Sequence, residues 1–182
     1  MKHCSISLLF LFIFVYSFGQ DTPEKGREIN IVYGANFTKD EARYPGASIF
    51  SKDTRQVQFE HEGADLWCDV AIFYQKENRL RAIGNIRMKQ GDSVQMLAKK
   101  LDYDGNTKLA KARENVVLRN SQMTLTTDTL YFNREAQQAY YNTNGRVVDS
   151  ANTLTSRIGR YFMDIKKYQF QDSVFIRNPE YT

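Results

Sequence analysis

The sequence predicts an all-β fold, a curled antiparallel sheet assembled from strand-turn-strand repeats of about 29 residues. Three observations predict it. Residue columns keep step along the chain, apolar and polar residues alternate with period two, and a phase slip recurs at one place in each repeat.

An aromatic stands at Phe73, Tyr103, Phe132 and Tyr161, in steps of 30, 29 and 29. A large apolar residue at Leu66, Met96, Leu125 and Leu154 keeps the same steps, as does a small one at Cys68, Ala98, Thr127 and Ser156. A second stretch ends at Phe59, Met88, Leu118, Val147 and Ile176, in steps of 29, 30, 29 and 29.

Alternation makes each stretch a strand with one dry face and one wet face. Ala110, Ala112, Val116 and Leu118 share a side, opposite Lys111, Arg113, Asn115 and Arg119. One unit earlier, Leu80, Ala82, Gly84, Ile86 and Met88 do the same against Arg79, Arg81, Asn85, Arg87 and Lys89. The first stretch of each unit slips. Val94, Met96 and Ala98 alternate, then the apolar positions resume at Leu101 and Tyr103; Met123, Leu125 and Thr127 likewise give way to Leu130 and Phe132. An extra residue of this kind is what a bulge or bend inserts. A corner is therefore predicted at the small-residue column.

The elements follow in chain order. Residues 1–19 read as a secretory signal: Lys2, an apolar run from Ile6 to Val15, and a small-residue cleavage site at Ser17-Phe18-Gly19. Residues 20–48 hold an opening strand in "EINIVYGANF" and a loop or short helical turn in "TKDEARYPGAS", with Tyr44 as a degenerate member of the aromatic column. Residues 49–182 hold the repeats. Turns fall at "KEN" (76–78), "DGN" (104–106, with Gly105 free to take positive φ), "NRE" (133–135) and Asn144-Gly145. "NPEYT" aligns with "SANT" at 150–153, so the repeats either continue beyond Thr182 or leave the last strand as a free edge.

Removal of the signal leaves 182 − 19 = 163 residues, enough for one domain with its own core. The charge becomes 24 − 21 = +3, too small a surplus to imply nucleic acid. Only Cys68 remains, so no internal disulfide forms.

Candidate chemistry is sparse. "DYDGN" begins like a calcium loop, but the twelfth position, where a bidentate Glu belongs, is Arg113, so the stretch is read as a hairpin turn. Asp102, Asp104, Asp128 and Asp164 lie near turns or on wet faces. His61, between Glu60 and Glu62, is read as an exposed strand residue. No catalytic residue, metal site or cofactor is predicted. "NFT" at 36–38 is a formal glycosylation sequon.

The apolar columns carry the functional reading. No other layer in the sequence covers the inner face of such a sheet. Its walls either meet as an ordinary core or leave a slot for a lipid, where burial is worth ~25 cal/mol per Å². The candidate lining is Phe73, Met96, Leu101, Tyr103, Val116, Leu118, Leu125, Leu130, Phe132, Val147 and Tyr161. Arg79, Arg81, Arg87, Lys111, Arg113 and Arg119 are read as keeping the wet face soluble, with lipid phosphates as their alternative partner. Trp67 points away from the columns and is the residue a glycan-binding alternative would use.

"AKKLDYD" with "ARENVVL", together with "TDTLYFN" and "AIGNIRM", resembles the repeat of the LptA/OstA-like family of periplasmic lipopolysaccharide-transport proteins. "DVAIFYQ" and "SRIGRYF" are weaker copies, and the likeness covers residues 50–182, closest to the OstA-like proteins of Bacteroidetes-type bacteria. The family's glycine is present at Gly84 but is replaced by Glu114 in the next unit and Arg55 in the first. The resemblance implies a twisted, partly open β-jellyroll in the periplasm with no catalysis and no cofactor. Its apolar groove holds the lipid A acyl chains of lipopolysaccharide. Its edge strands pair end to end with other Lpt-type jellyroll domains; homo-oligomerisation stays open, and nucleic acid is not a partner. The alternative is a structural or glycan-binding β-repeat with a closed core.

Overall fold

The computed structural model describes residues 28–178, and every regular element among them is a β-strand. The signal expected in residues 1–19 lies outside the described residues. The chain begins with β1 (Asn30–Tyr33) and β2 (Asn36–Thr38), followed by β3 (Ser48–Ser51), β4 (Val57–His61), β5 (Ala64–Cys68) and β6 (Val70–Tyr74). Four long strands occupy the middle: β7 (Arg79–Gln90), β8 (Val94–Asp104), β9 (Leu109–Arg119) and β10 (Thr124–Asn133). It closes with β11 (Gln138–Tyr141), β12 (Gly145–Val148), β13 (Thr153–Ser156), β14 (Ile158–Phe162), β15 (Lys167–Gln171) and β16 (Phe175–Arg177).

All pairings are antiparallel, and the register separates the sheet into two leaves that share the four long strands. The first leaf runs β1-β4-β5, then halves of β7, β8, β9 and β10, then β12-β13-β16. The second runs β2-β3-β6, the other halves of the same strands, then β11-β14-β15. Each repeat crosses from one leaf to the other and back. This is the curled all-β sheet that the repeat predicts, in the unclosed jellyroll form that the family resemblance implies. β1 and β2, from the segment read as preceding the repeats, pair into the leaves as their first edges.

The corner lies at the small-residue column. Pairing shifts between Ile83↔Lys100 and Ile86↔Ala98, leaving Gly84 and Asn85 opposite Lys99. It shifts again between Thr127↔Val116 and Thr129↔Arg113, leaving Glu114 and Asn115 opposite Asp128. The left-handed residues that turn the corner sit on the second strand of each unit. These are Gly84 and Asn85 (φ 79° and 41°), Glu114 and Asn115 (66° and 58°), Asn144 (61°), and Asp172 and Ser173 (62° and 51°). A non-glycine residue there costs about 1–2 kcal/mol, so the corners hold strain.

One replacement of the family glycine now has a physical reason. A Cβ at Gly84 would lie 2.7 Å from Asp69 Oδ2, a short side chain held by Asn85 and Gln56. One unit on, the corner residue of the preceding strand is the flexible Lys99, and Glu114 instead meets Lys100 at 2.5 Å.

Two expectations are corrected. Gly105 does not supply the positive φ of its hairpin; Lys108 does, at 54°, as Asn78, Gln137 and Lys166 do in their own turns (53°, 47° and 52°). Gly105 is needed for close approach, because a Cβ there would fall 2.5 Å from the Asn78 amide nitrogen. Tyr44 is no member of the inner column: it lies half-buried in the loop of residues 39–47 and outside the core cluster.

Candidate functional site

The inner faces of both leaves converge on one buried cluster, and all eleven residues named as a candidate lipid lining belong to it. Leu125, Val147, Leu118 and Met96 come from the first leaf, as does Val116 at its corner. Leu101, Tyr103, Leu130, Phe132, Phe73 and Tyr161 come from the second. The space between them is filled. Two internal cavities, one near Met88 and Tyr103 and one near Leu125 and Tyr168, measure about 10 Å³ each. That is about the room one water requires. Cys68 is a fully buried member of this cluster, and burial pushes its thiol up to about 12.

Inner-face apolar residues continue to both ends. Phe73, Phe59, Phe50 and Phe37 form a ladder with ring centroids 5.5, 6.2 and 5.5 Å apart, leading to the first edge. There Ile31, opposite Phe59, and Phe37, opposite Phe50, are exposed. At the other edge Ile176, opposite Leu154, is exposed, and Tyr168 and Phe170 are half-covered, with Tyr168 stacked 4.6 Å from Tyr161.

The side of the wedge away from the corners is its mouth, where the turns of one leaf meet those of the other. Side chains bridge it at several levels. Ile29 N–H donates to Asn78 Oδ1 at 2.8 Å, and Asn120 Nδ2 donates to Tyr161 Oη at 2.9 Å. Between them lies the strongest set of contacts. Arg134, in the β10–β11 turn, donates to Tyr103 Oη at 2.7 Å, to the Glu62 carbonyl at 2.9 Å and to Gln90 Oε1 at 3.2 Å. Tyr103 Oη is 2.7 Å from His61 Nδ1, and Lys108 joins Glu62 at 2.8 Å and Glu135 at 2.6 Å. Burial pushes the Tyr103 phenol up, so it stays protonated as a hydroxyl.

His61 corrects the sequence reading: it is buried, not exposed. The signal was there, because Val57, Phe59 and His61 share the period-two phase of β4. Arg134 was missed altogether, since its turn carries no pattern that distinguishes it from any solvated arginine. Among the described residues, no group of three or more His, Cys, Asp or Glu side chains could hold a metal.

The outer faces are polar and internally paired. Arg79 meets Asp104 at 2.9 Å, Arg81 meets Asp102 at 2.8 Å, and Arg113 also reaches Asp102. Arg79, Arg81, Asp102 and Asp104 border an outer cleft of about 590 Å³ that Tyr74 and Tyr131 flank. Trp67 lies on the outer face of the first leaf with the Arg87 guanidinium 4.2 Å from its ring centre.

This architecture is shared with a solved structure, LptH of Pseudomonas aeruginosa, described as the LptA-homologous periplasmic component of the lipopolysaccharide transport device. The two align with a TM-score of 0.58 at 10% identity, over 63% of this chain and 93% of that one. At such identity the likeness is one of fold. A comparison with curated proteins found no match. The family model described as OstA-like protein matches residues 29–182, and on that match the chain belongs to the OstA-like family.

Proposed function

We propose that this protein is a non-enzymatic periplasmic carrier of lipopolysaccharide, holding acyl chains between its two leaves and stacking end to end with like domains. The observation that carries the reading is the unclosed wedge itself. Among the described residues, two apolar inner faces meet without a covalent or sheet closure along the mouth, and inner-face apolar residues stay exposed at both edges. An edge strand with free hydrogen-bonding groups is normally a hazard. Here β1 and β2 at one end, and β15 and β16 at the other, offer strand addition a continuous apolar interior to extend.

The filled interior favours a second reading, a structural domain whose core is closed. For a carrier, acyl chains must separate the leaves and replace the contacts between them; burial worth ~25 cal/mol per Å² is available to chain and core alike. Photocrosslinkers at Leu130 and Phe132, introduced in cells that make lipopolysaccharide, separate the two. Capture of lipopolysaccharide at both positions is the expected result. Clean protein with no lipid adduct and no co-purified lipopolysaccharide rejects the carrier and leaves the closed domain.

A further inference from the structure

The mouth of the wedge is held by a cation whose setting is unusual. Arg134 is only 6% exposed, yet its guanidinium meets a hydroxyl, a carbonyl, an amide oxygen and, at 3.5 Å, an imidazole nitrogen. None of these is a carboxylate. A guanidinium taken out of water is ordinarily matched by an anion, because neutral acceptors recover only part of its lost hydration. The Glu62 carboxylate influences Arg134 through space but is itself engaged by Lys108 at 2.8 Å.

The charges are divided between the two lips. Glu62, His61 and Gln90 belong to turns and strand ends of the first leaf; Arg134, Lys108 and Glu135 belong to turns of the second. Parting the leaves carries Glu62 away. The second lip is then left with two cations and one acid, a net charge of 2 − 1 = +1, and with the planar fork of Arg134 free. That fork suits two oxygens of one phosphate or carboxylate. Directly behind it lie Phe59, Leu66, Leu80 and Met88, around a cavity of about 10 Å³. A charged group at the lip with apolar walls immediately inside is the complement of an anionic amphiphile.

We propose that the two lips form a gate, and that Arg134, assisted by Lys108, receives an anionic group of the lipid that enters there. The closed gate and the loaded gate are then two partnerships of one arginine: with Tyr103, Gln90 and the Glu62 carbonyl when the wedge is shut, with the lipid's anion when it is open. This rests on the carrier reading above and adds the headgroup class and its receptor.

The test is equilibrium binding of two probes to the purified protein: lipid A carrying both phosphates, and the same acylated disaccharide with its phosphates removed. Arg134→Gln is expected to lower the preference for the phosphorylated probe over the dephosphorylated one by about tenfold or more, the loss of one charge-assisted fork; loosening of the closed state acts on both probes alike and leaves that ratio unchanged. Lys108→Gln, on a more exposed side chain, gives a smaller loss with the same discrimination and serves if Arg134→Gln does not fold. Glu62→Gln, on the opposing lip, is expected to strengthen binding of both probes by loosening the closed state. An unchanged ratio between the two probes in both cation variants overturns the receptor and leaves the carrier standing. Wild-type protein that binds neither probe overturns the carrier and the gate together.

Discussion

His61 Nδ1 and Tyr103 Oη lie 2.7 Å apart, one at the end of β4 in the first leaf and the other near the end of β8 in the second. Arg134 also donates into the Tyr103 oxygen, at 2.7 Å, so one hydroxyl ties the histidine and the arginine together. The pair thus joins two leaves that share no ladder hydrogen bonds at this side of the wedge. Removing the hydroxyl takes one hydrogen bond from each of His61 and Arg134 in a buried site, a change worth about 1–3 kcal/mol. Tyr103→Phe is expected to lower stability by that amount in urea unfolding, with the ring packing kept. An unchanged midpoint would show that solvent replaces the hydroxyl and that the mouth is wetter than its burial implies.

Tyr141 is the largest fully buried side chain among the described residues, and it fits because two glycines flank its ring. A Cβ at Gly145 or at Gly159 would lie 2.3 Å from the ring carbon that bears the hydroxyl. Gly159→Ala is therefore expected to cost about 1–3 kcal/mol as an overpacked core does. Tyr141→Leu in the same chain should recover part of that loss. Thermal unfolding of the single and double variants checks both statements.

The corners offer a pair of opposite substitutions. Glu114 holds φ at 66° and gains one ion pair with an exposed lysine, a contact worth little at a surface. Glu114→Gly is expected to stabilise by about 0.5–1 kcal/mol, because glycine takes left-handed φ freely. Gly84→Ala, by contrast, adds both a strained φ and a clash with Asp69, and is expected to destabilise. Matched urea titrations decide, and a destabilised Glu114→Gly would show that the corner does not store strain.

Asp104 gives a pH dependence of defined sign. Partial burial raises its carboxyl, but hydrogen bonds from the Thr107 N–H, Arg79 and the Asn106 N–H outweigh this and hold it below the usual range. A carboxyl lowered in the folded state stabilises fully above its unfolded value, about 3.9, and loses that contribution as pH falls through the folded value. Asp104→Asn should be less stable than wild type at pH 7, with the difference shrinking below about pH 4. A difference that persists unchanged at pH 2 would assign the effect to the turn geometry alone.

Cys68 reports on opening. Its thiol is fully buried and raised to about 12, so alkylation at pH 8 is expected to be negligible in the folded protein and complete after denaturation. Rapid labelling without loss of strand signal would reveal that the leaves separate spontaneously near the corner.

Much of this architecture was legible in the chain. Columns at 29 or 30 residues fixed the number of rungs, and period-two alternation assigned each apolar column to the inner face. The recurring slip located the corner, because each is a local consequence of a pleated backbone and a buried face. Of the candidate site, what could be read was which side chains turn inward: Phe73, Phe132 and the nine other lining candidates all lie in the buried cluster. His61 was misjudged because flanking acids were given more weight than its in-phase neighbours.

The sequence by itself determined a repeating strand that turns a corner, since hydrophobic spacing is written residue by residue along the chain. Only the tertiary structure decided that the walls meet, that Lys108 and not Gly105 takes the left-handed turn position, and that Arg134 spans the mouth beside His61. These depend on side chains as many as 73 residues apart, brought together by the way the rungs stack. No local pattern records such a meeting, because its energy belongs to the pair and not to either residue's place in its strand or turn.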